Sequence, residues 1–302
     1  MFFRNLTFFR FPTGTDFETL DAGLDACQLK PVGPLELSSR GFVSPFGRDS
    51  ELLAARQGDA LWLTVGGEDR LLPGAVVNEM LQRKLEEIEA KEGRKPGGRT
   101  RKRIKDELIT DLLPRAFIKP SRTDALIDRA LGVVAVDTSS RKSAENIVSE
   151  IRRALGSFPA LPLNAEVAPR SVLTSWVAGE SLPEGLSLGE ECELRDPIDQ
   201  GAIVKCQRME LTGNAEIDKH LQSGKQVTRL ALNLDDHVSF VLGEDLIVRK
   251  FKLLDGAVDQ LESNDTDDMH AELDARFALM SGELRRLFTV LEGALKLSKV
   301  EA

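Results

Sequence analysis

Hydrophobic positions along the 302-residue chain change their period several times, and each change marks an element. Residues 2 to 11 are rich in Phe, alternate imperfectly and predict a strand. Asp16 then stands as the N-cap of a helix whose apolar positions include Phe17, Leu20 and Leu24. ALWLTV, residues 60 to 65, reads as a buried strand, GGED as a turn and RLL as the returning strand of a β-hairpin. From Pro73 the spacing becomes helical. Val76, Val77, Met80, Leu81, Leu85 and Ile88 recur on one face up to about Glu92. GRKPGGR breaks that helix, and a second one, from about Thr100 to Leu113, is basic in its first turns. The pair predicts a projecting helical hairpin.

After Pro114 the pattern returns to strands, AFIK, DALID and LGVVAVD, in the manner of a meander. A helix from about Ser140 to Leu155 follows, with Ile147, Ile151, Ala154 and Leu155 on one face. The Pro- and Gly-rich stretch from Gly156 to Gly201 reads as an inter-domain passage. Beyond it come the strand IVKCQRMEL, a short helix EIDKHLQ capped by Thr212, and strands VTRLALNL, HVSFVLG and DLIVRKFK. A final helix carries Phe277, Met280, Leu284, Leu287, Leu291 and Leu295 as an apolar stripe. Strands and helices are interspersed without a strict βαβ rhythm, which predicts an α+β fold. The expected divisions are a central α+β region (1–74 and 114–165), a basic hairpin tip (75–113) and a C-terminal α+β region (166–302).

Composition adds boundaries to this picture. Hydrophobic residues make up 41% of the chain, enough for a proper core, and no apolar run reaches the roughly 18 residues of a membrane-spanning helix. MFFRNLTFFRF is interrupted by Arg4 and Arg10 and lacks a small-residue cleavage site, so no signal peptide is expected. Cys27, Cys192 and Cys206 are odd in number, far apart and without a CxxC, which fits reduced, core-packing thiols in a cytoplasmic protein.

Charge changes the picture most. The formal net charge is −9, yet Arg94 to Lys105 holds seven Lys or Arg and no acid. Conversely, Leu253 to Ala275 contains Asp255, Asp259, Glu262, Asp265, Asp267, Asp268, Glu272 and Asp274 and no Lys or Arg. Such segregation lets one surface be positive while the remainder repels phosphates.

Candidate chemistry is sparse, and no cofactor is expected. Gly93 to Thr100 has the spacing of a phosphate-binding P-loop, but Arg99 stands where lysine belongs and a charged helix, not a strand, precedes it. His220, His237 and His270 have no metal-binding spacing, and Asp265, Asp267 and Asp268 lack the glycine and closing glutamate of a calcium loop. No GxSxG elbow exists. What remains is electrostatic. Arg94, Lys95, Arg99, Arg101, Lys102, Arg103 and Lys105, followed by Arg115, Lys119 and Arg122, are candidates for contacting nucleic-acid phosphates. The competing readings are a solvated helix face, a DNA-directed nuclease or ATPase, and an adaptor whose basic tip meets an acidic partner. Phe117 shares strand parity with Arg115 and Lys119, so its ring is expected on a charged face, where it would meet a partner.

Several segments resemble one family, that of RdgC, the recombination-associated proteins of proteobacteria. They are MFFRNLTFFR, GFVSPFG at 41–47, LLPRAF at 112–117, ALGSFPALPL at 154–163, LTSWV at 173–177, KQVTRLAL at 225–232 and RFALMSGEL at 276–284. The resemblance extends over nearly the whole chain. It implies a horseshoe-shaped α+β subunit that pairs through both ends into a closed homodimeric ring around duplex DNA. Such a ring binds without sequence preference, has no catalytic activity, and restrains RecA-driven strand exchange through DNA occupancy on the nucleoid. The resemblance also implies that Phe117 lies at one subunit contact. A second contact uses a Lys-Gln pair, matched here by Arg208 and Met209, so the charge is kept and the glutamine's hydrogen bond is lost.

Overall fold

A computed structural model describes residues 3–47, 50–199, 201–257 and 269–299. The fold is α+β. The chain divides into two compact units, one made of Met1–Ala26, Ser44–Thr64 and Thr123–Ala302, the other of Cys27–Val43 and Val65–Arg122. No helix among the described residues is long and apolar enough to cross a membrane.

The larger unit holds two antiparallel arrangements of strands. In the first, β1 (Thr7–Arg10) lies between β6 (Val133–Val136) and the short β7 (Leu161–Pro162). β6 pairs with the inner half of β5 (Phe117–Asp128), and β3 (Ala54–Gln57) forms a hairpin with the start of β4 (Ala60–Leu71). The second sheet runs β12-β11-β10-β8-β9, from β8 (Leu186–Arg195), β9 (Ile203–Gln207), β10 (Gln226–Leu234), β11 (Val238–Gly243) and β12 (Val248–Leu253). The bridge between Leu6 and Val248 links the two within this unit.

The final helix, α7 (Met269–Leu295), is covered from both. Phe277, Met280, Leu284, Leu287, Phe288, Leu291 and Leu295 are buried along it at helical spacing, as the sequence pattern predicts. Phe288 packs on Phe8 with centroids 5.5 Å apart, and Phe277 on Trp62 at 5.9 Å. Charged contacts fix the helix in rotation. Arg10 of β1 is ion-paired with Glu292 and lies over the Phe288 ring, while Arg285 reaches the buried Asp128 at 2.7 Å. Toward the β10–β11 turn, buried Glu283 meets His237 at 2.8 Å and Arg286 meets Asp235 at 2.5 Å. α4 (Arg141–Leu155) buries Ala144, Ile147, Val148, Ile151 and Ala154, and its N-cap Ser140 accepts a hydrogen bond from the Ser143 N–H.

Several sequence expectations need correction. ALWLTV and RLL are one strand, β4, and GGED is no turn. A Cβ at Gly66 would lie 2.8 Å from Val43 and one at Gly67 2.6 Å from Arg40, so these glycines permit close approach within a straight strand. AFIK and DALID likewise form the single strand β5, which continues through Pro120. The helix α1 (Leu20–Ala26) begins after Phe17, and Asp16 accepts from the Glu18 N–H in a turn ahead of it. Asn214, not Thr212, caps α6 (Ala215–Gln222), because Gly213 with φ of 68° separates Thr212 from the helix. The stretch read as a passage contains both α5 (Pro169–Val177) and β8. Asp259, Glu262, Asp265, Asp267, Asp268 and the His270 side chain lie outside the described residues.

Arg10 is nearly buried, so removing its carboxylate partner strands a charge. Glu292→Ala is expected to destabilise the protein by about 2 kcal/mol, less than for a fully buried pair because Glu292 is partly exposed. The double replacement Arg10→Met with Glu292→Leu should recover most of that loss in urea unfolding. An equal loss in the double variant would show that the pair itself, not the stranded arginine, carries the effect.

Candidate nucleic-acid interface

The smaller unit comprises β2 (Ser38–Val43), the outer half of β4, the helices α2 (Gly74–Glu92) and α3 (Gly98–Leu112), and the outer half of β5. The two helices form a hairpin around a small core of Leu81, Leu85, Ile104 and Leu108, with Ile88 alongside. Gly93 ends α2 in the left-handed conformation at φ 68°, its N–H bonded to the Glu89 carbonyl. At the base of the hairpin, Arg70 donates to the Leu113 carbonyl at 2.8 Å and to that of Gly33 at 3.2 Å. The tip is therefore set by helix packing below and a glycine-rich reversal above.

Arg94, Lys95, Arg99, Arg101, Lys102, Arg103 and Lys105 are all exposed. Arg94 approaches Glu92 at 4.0 Å and Arg103 approaches Glu107 at 3.6 Å; exposed pairs of this kind contribute little. Lys95, Arg99, Arg101, Lys102 and Lys105 have no ion-pair partner among the described residues. An open groove of about 720 Å³ between the helices is lined by Lys84, Arg99, Lys102 and Arg103 together with Asp106, Glu107 and Asp111. The sequence pattern does not single out Lys84, because α2 reads as mixed charge throughout.

The order of charge along α3 is the reverse of what a helix favours. Its first turns hold Arg99, Arg101 and Lys102 with no acid, and its second half holds Asp106, Glu107 and Asp111. A helix N-terminus carries partial positive charge, so each cation placed there costs on the order of 0.3–1 kcal/mol at low salt. A merely solvated face has no reason to bear that cost. An anion brought to the tip would relieve it and gather the N-terminal N–H groups as well.

Charge is also divided between the units. The smaller unit holds sixteen Lys or Arg against eleven Asp or Glu, a net of +5, which leaves −14 for the rest of a chain whose total is −9. All ten basic candidates fall in the positive unit.

Arg115, Lys119 and Arg122 are exposed too. Arg115, however, closes a 3₁₀ turn, Leu113–Arg115, and the strand starts only at Phe117. Strand parity therefore joins Phe117 with Lys119 alone, and the three-residue face expected from sequence is corrected to two. Phe117 is 83% exposed, and Ile118, the next residue, is 46% exposed. β6 pairs only with Ala125–Asp128, so residues 117–122 have no strand partner on that side among the described residues. Pro120 is tolerated there because its missing N–H is not needed.

Arg208 and Met209 lie just beyond β9, not within it, in the larger unit. Arg208 is exposed with φ of 56°, and Met209 is partly buried against its own unit's core, its sulfur 3.8 Å from the Asn214 amide. Among the described residues no group of three or more His, Cys, Asp or Glu is arranged to hold a metal ion.

With this geometry in view, the family described as "Putative exonuclease, RdgC" matches residues 1–298. The chain is 70% identical over 302 residues to "Recombination-associated protein RdgC" of Xanthomonas axonopodis pv. citri (strain 306), covering all of both chains. It is 69% identical over 303 residues to the protein of the same name from Xanthomonas campestris pv. campestris (strain B100), and 67% identical over 302 to that of Stenotrophomonas maltophilia (strain R551-3), again over full lengths.

Replacing Arg99, Arg101, Lys102 and Arg103 by Ala should weaken duplex binding and lower the slope of log K against log salt by about 0.9 for each phosphate that is no longer neutralised. Thermal unfolding should hold steady or rise slightly, since the cations oppose the helix dipole. Anisotropy titrations across a salt series check the first effect and calorimetry the second. Unchanged affinity would return the run to a solvated face.

Proposed function

The chain belongs to the RdgC family, and on that premise we propose that it is a DNA-binding protein of recombination, acting on duplex DNA without sequence preference. Two copies close into a ring around the duplex, and occupancy of the DNA restrains RecA-dependent strand exchange, with a further part in replication. The protein catalyses no reaction, needs no cofactor, and works in the cytoplasm on the nucleoid.

One observation carries this reading: seven exposed cations without an intervening acid, three of them in the first turns of a helix that disfavours them there, inside a unit of net +5 on an otherwise acidic chain. Phosphate charge is dense along a duplex and independent of sequence, so cations of this kind give salt-sensitive, sequence-tolerant affinity. The acidic remainder repels duplex elsewhere and limits how DNA can sit. Phe117 supports the ring. An aromatic side chain 83% exposed on the strand face it shares with Lys119 is suited to a subunit contact next to the DNA path.

The family's description favours a second reading, an exonuclease. Incubation of end-labelled linear duplex with protein and Mg²⁺ separates the two: binding alone leaves the label on full-length DNA, whereas an exonuclease releases nucleotides in proportion to protein.

The ring has its own test. The unaltered protein should dissociate more slowly from covalently closed circles than from short linear duplexes, whose ends release a sliding ring. Phe117→Ala should remove much of that difference while leaving initial binding nearly intact, since an interface aromatic can contribute 2 kcal/mol or more to closure, about a thirtyfold change in the closed population. Equal dissociation rates from circles and linear DNA for the unaltered protein would mean that it binds from outside.

A further inference from the structure

Two of the three cysteines, fourteen residues apart in sequence, meet across the outer strand pair of the second sheet. In the antiparallel register of β8 with β9, Cys192 stands directly opposite Cys206. Facing residues in such a ladder have Cα atoms about 4.5–5.5 Å apart, inside the range of roughly 4.4–6.8 Å that a disulfide spans. Both are free thiols.

Although both cysteines are buried, they are not sealed in the core. They line a cavity of about 300 Å³ whose wall includes the exposed side chains of Lys205, Gln207 and Lys250. A cavity of that size admits water or a small solute of similar polarity. Its wall is polar: Lys250 is paired there with Glu191 at 2.5 Å and Arg229 with Glu193 at 3.7 Å, and Lys205 stands next to Cys206 in the chain. Among the described residues β9 is the last strand of its sheet and is bonded to β8 alone, so it can adjust to a crosslink more freely than a strand held on both sides.

We propose that Cys192 and Cys206 form a reversible redox pair, closed to an intramolecular disulfide by hydrogen peroxide and reopened by a dithiol reductant. Cys206 lies on the edge strand between the exposed Lys205 and Gln207, so it is placed to attack, and Cys192 on the inner strand β8, which burial and the adjacent Cys206 thiol push up to about 12, is placed to resolve. The Cys206 thiolate attacks one peroxide oxygen; the O–O bond breaks, hydroxide leaves and takes up the thiol's proton as water, and a sulfenic acid remains. The Cys192 sulfur then attacks that sulfur. The S–S bond forms, the S–O bond breaks, and the departing hydroxide carries off the Cys192 proton as a second water. Two thiols are oxidised by two electrons and one peroxide is reduced to two waters. The crosslink would fasten β9, whose chain runs directly into Arg208 and Met209, to its neighbour.

The test uses the intact protein without DNA. It is exposed to a modest excess of hydrogen peroxide, denatured, alkylated and digested with trypsin without reductant. Cleavage after Arg170, Arg195, Lys205 and Arg208 places the two cysteines on separate peptides, 171–195 and 206–208. The expected product is these peptides joined, roughly 2 Da lighter than their sum and separated again by dithiothreitol. In Cys192→Ser the resolving thiol is absent, and peptide 206–208 should instead gain about 32 Da as the sulfinic acid. The proposal is overturned if the unaltered protein yields no joined peptide, whether both cysteines stay alkylatable or each is oxidised singly.

Discussion

The larger unit depends on finding cover for one amphipathic helix. α7 is 27 residues long, and its apolar stripe is too long for a single four-residue strand such as β1 to hide. Phe288 finds Phe8 in one sheet, and the β10–β11 turn of the other supplies charged partners farther along. Burial of an aromatic or leucine side chain stabilises by about 1.5–3 kcal/mol each but has no direction of its own. Direction comes from the charges at the margins of the stripe. Arg10 and Asp128 hold one side of the helix, and His237 and Asp235 hold another, so rotation about its axis would break contacts on both. These partners come from sequence positions far from the helix, so most of the unit's chain must be in place before α7 can lock.

The smaller unit follows a different economy. Its helical hairpin relies on four fully buried side chains, a core too small to tolerate much local disfavour. Even so, α3 opens on cations against its dipole, and its acids sit downstream. Sequence and stability disagree here at the tip, and places where a local rule is broken are where functional sites are expected. The larger unit shows the opposite habit, with its buried charges paired.

How much of this was legible in the sequence differs by element. The stripe from Phe277 to Leu295 and the face from Ile147 to Ala154 could be read directly, because helical spacing over three or more turns has few alternatives. The strands β10, β11 and β12 could be read because Val, Leu and Phe alternate between clear breaks. Gly66, Gly67 and Pro120 misled, since the same residues mark turns in one setting and close approach or a bare strand edge in another; only the neighbours Val43 and Arg40 decide. The basic tip was legible as an unbroken run, but Lys84 was not, because its place in the groove comes from the packing of α2 on α3. Nor was the facing of Cys192 and Cys206, which depends on strand register rather than on spacing. Arg115 failed for a simpler reason, a 3₁₀ turn that interrupts alternation just before the strand.

The edge of β5 that has no strand partner among the described residues, 117–122, has a consequence for assembly. An unpaired strand edge is an invitation to add another strand, and a chain carrying one can grow by edge-to-edge addition into fibres. Here the edge holds Pro120, which offers no N–H, between Lys119 and Arg122, whose like charges repel a second copy laid alongside. Main-chain polymerisation is thereby discouraged at the very place where Phe117 offers an apolar handle. A side-chain contact needs no main-chain ladder, and where both copies use the same patch it satisfies itself without leaving a free edge for a third.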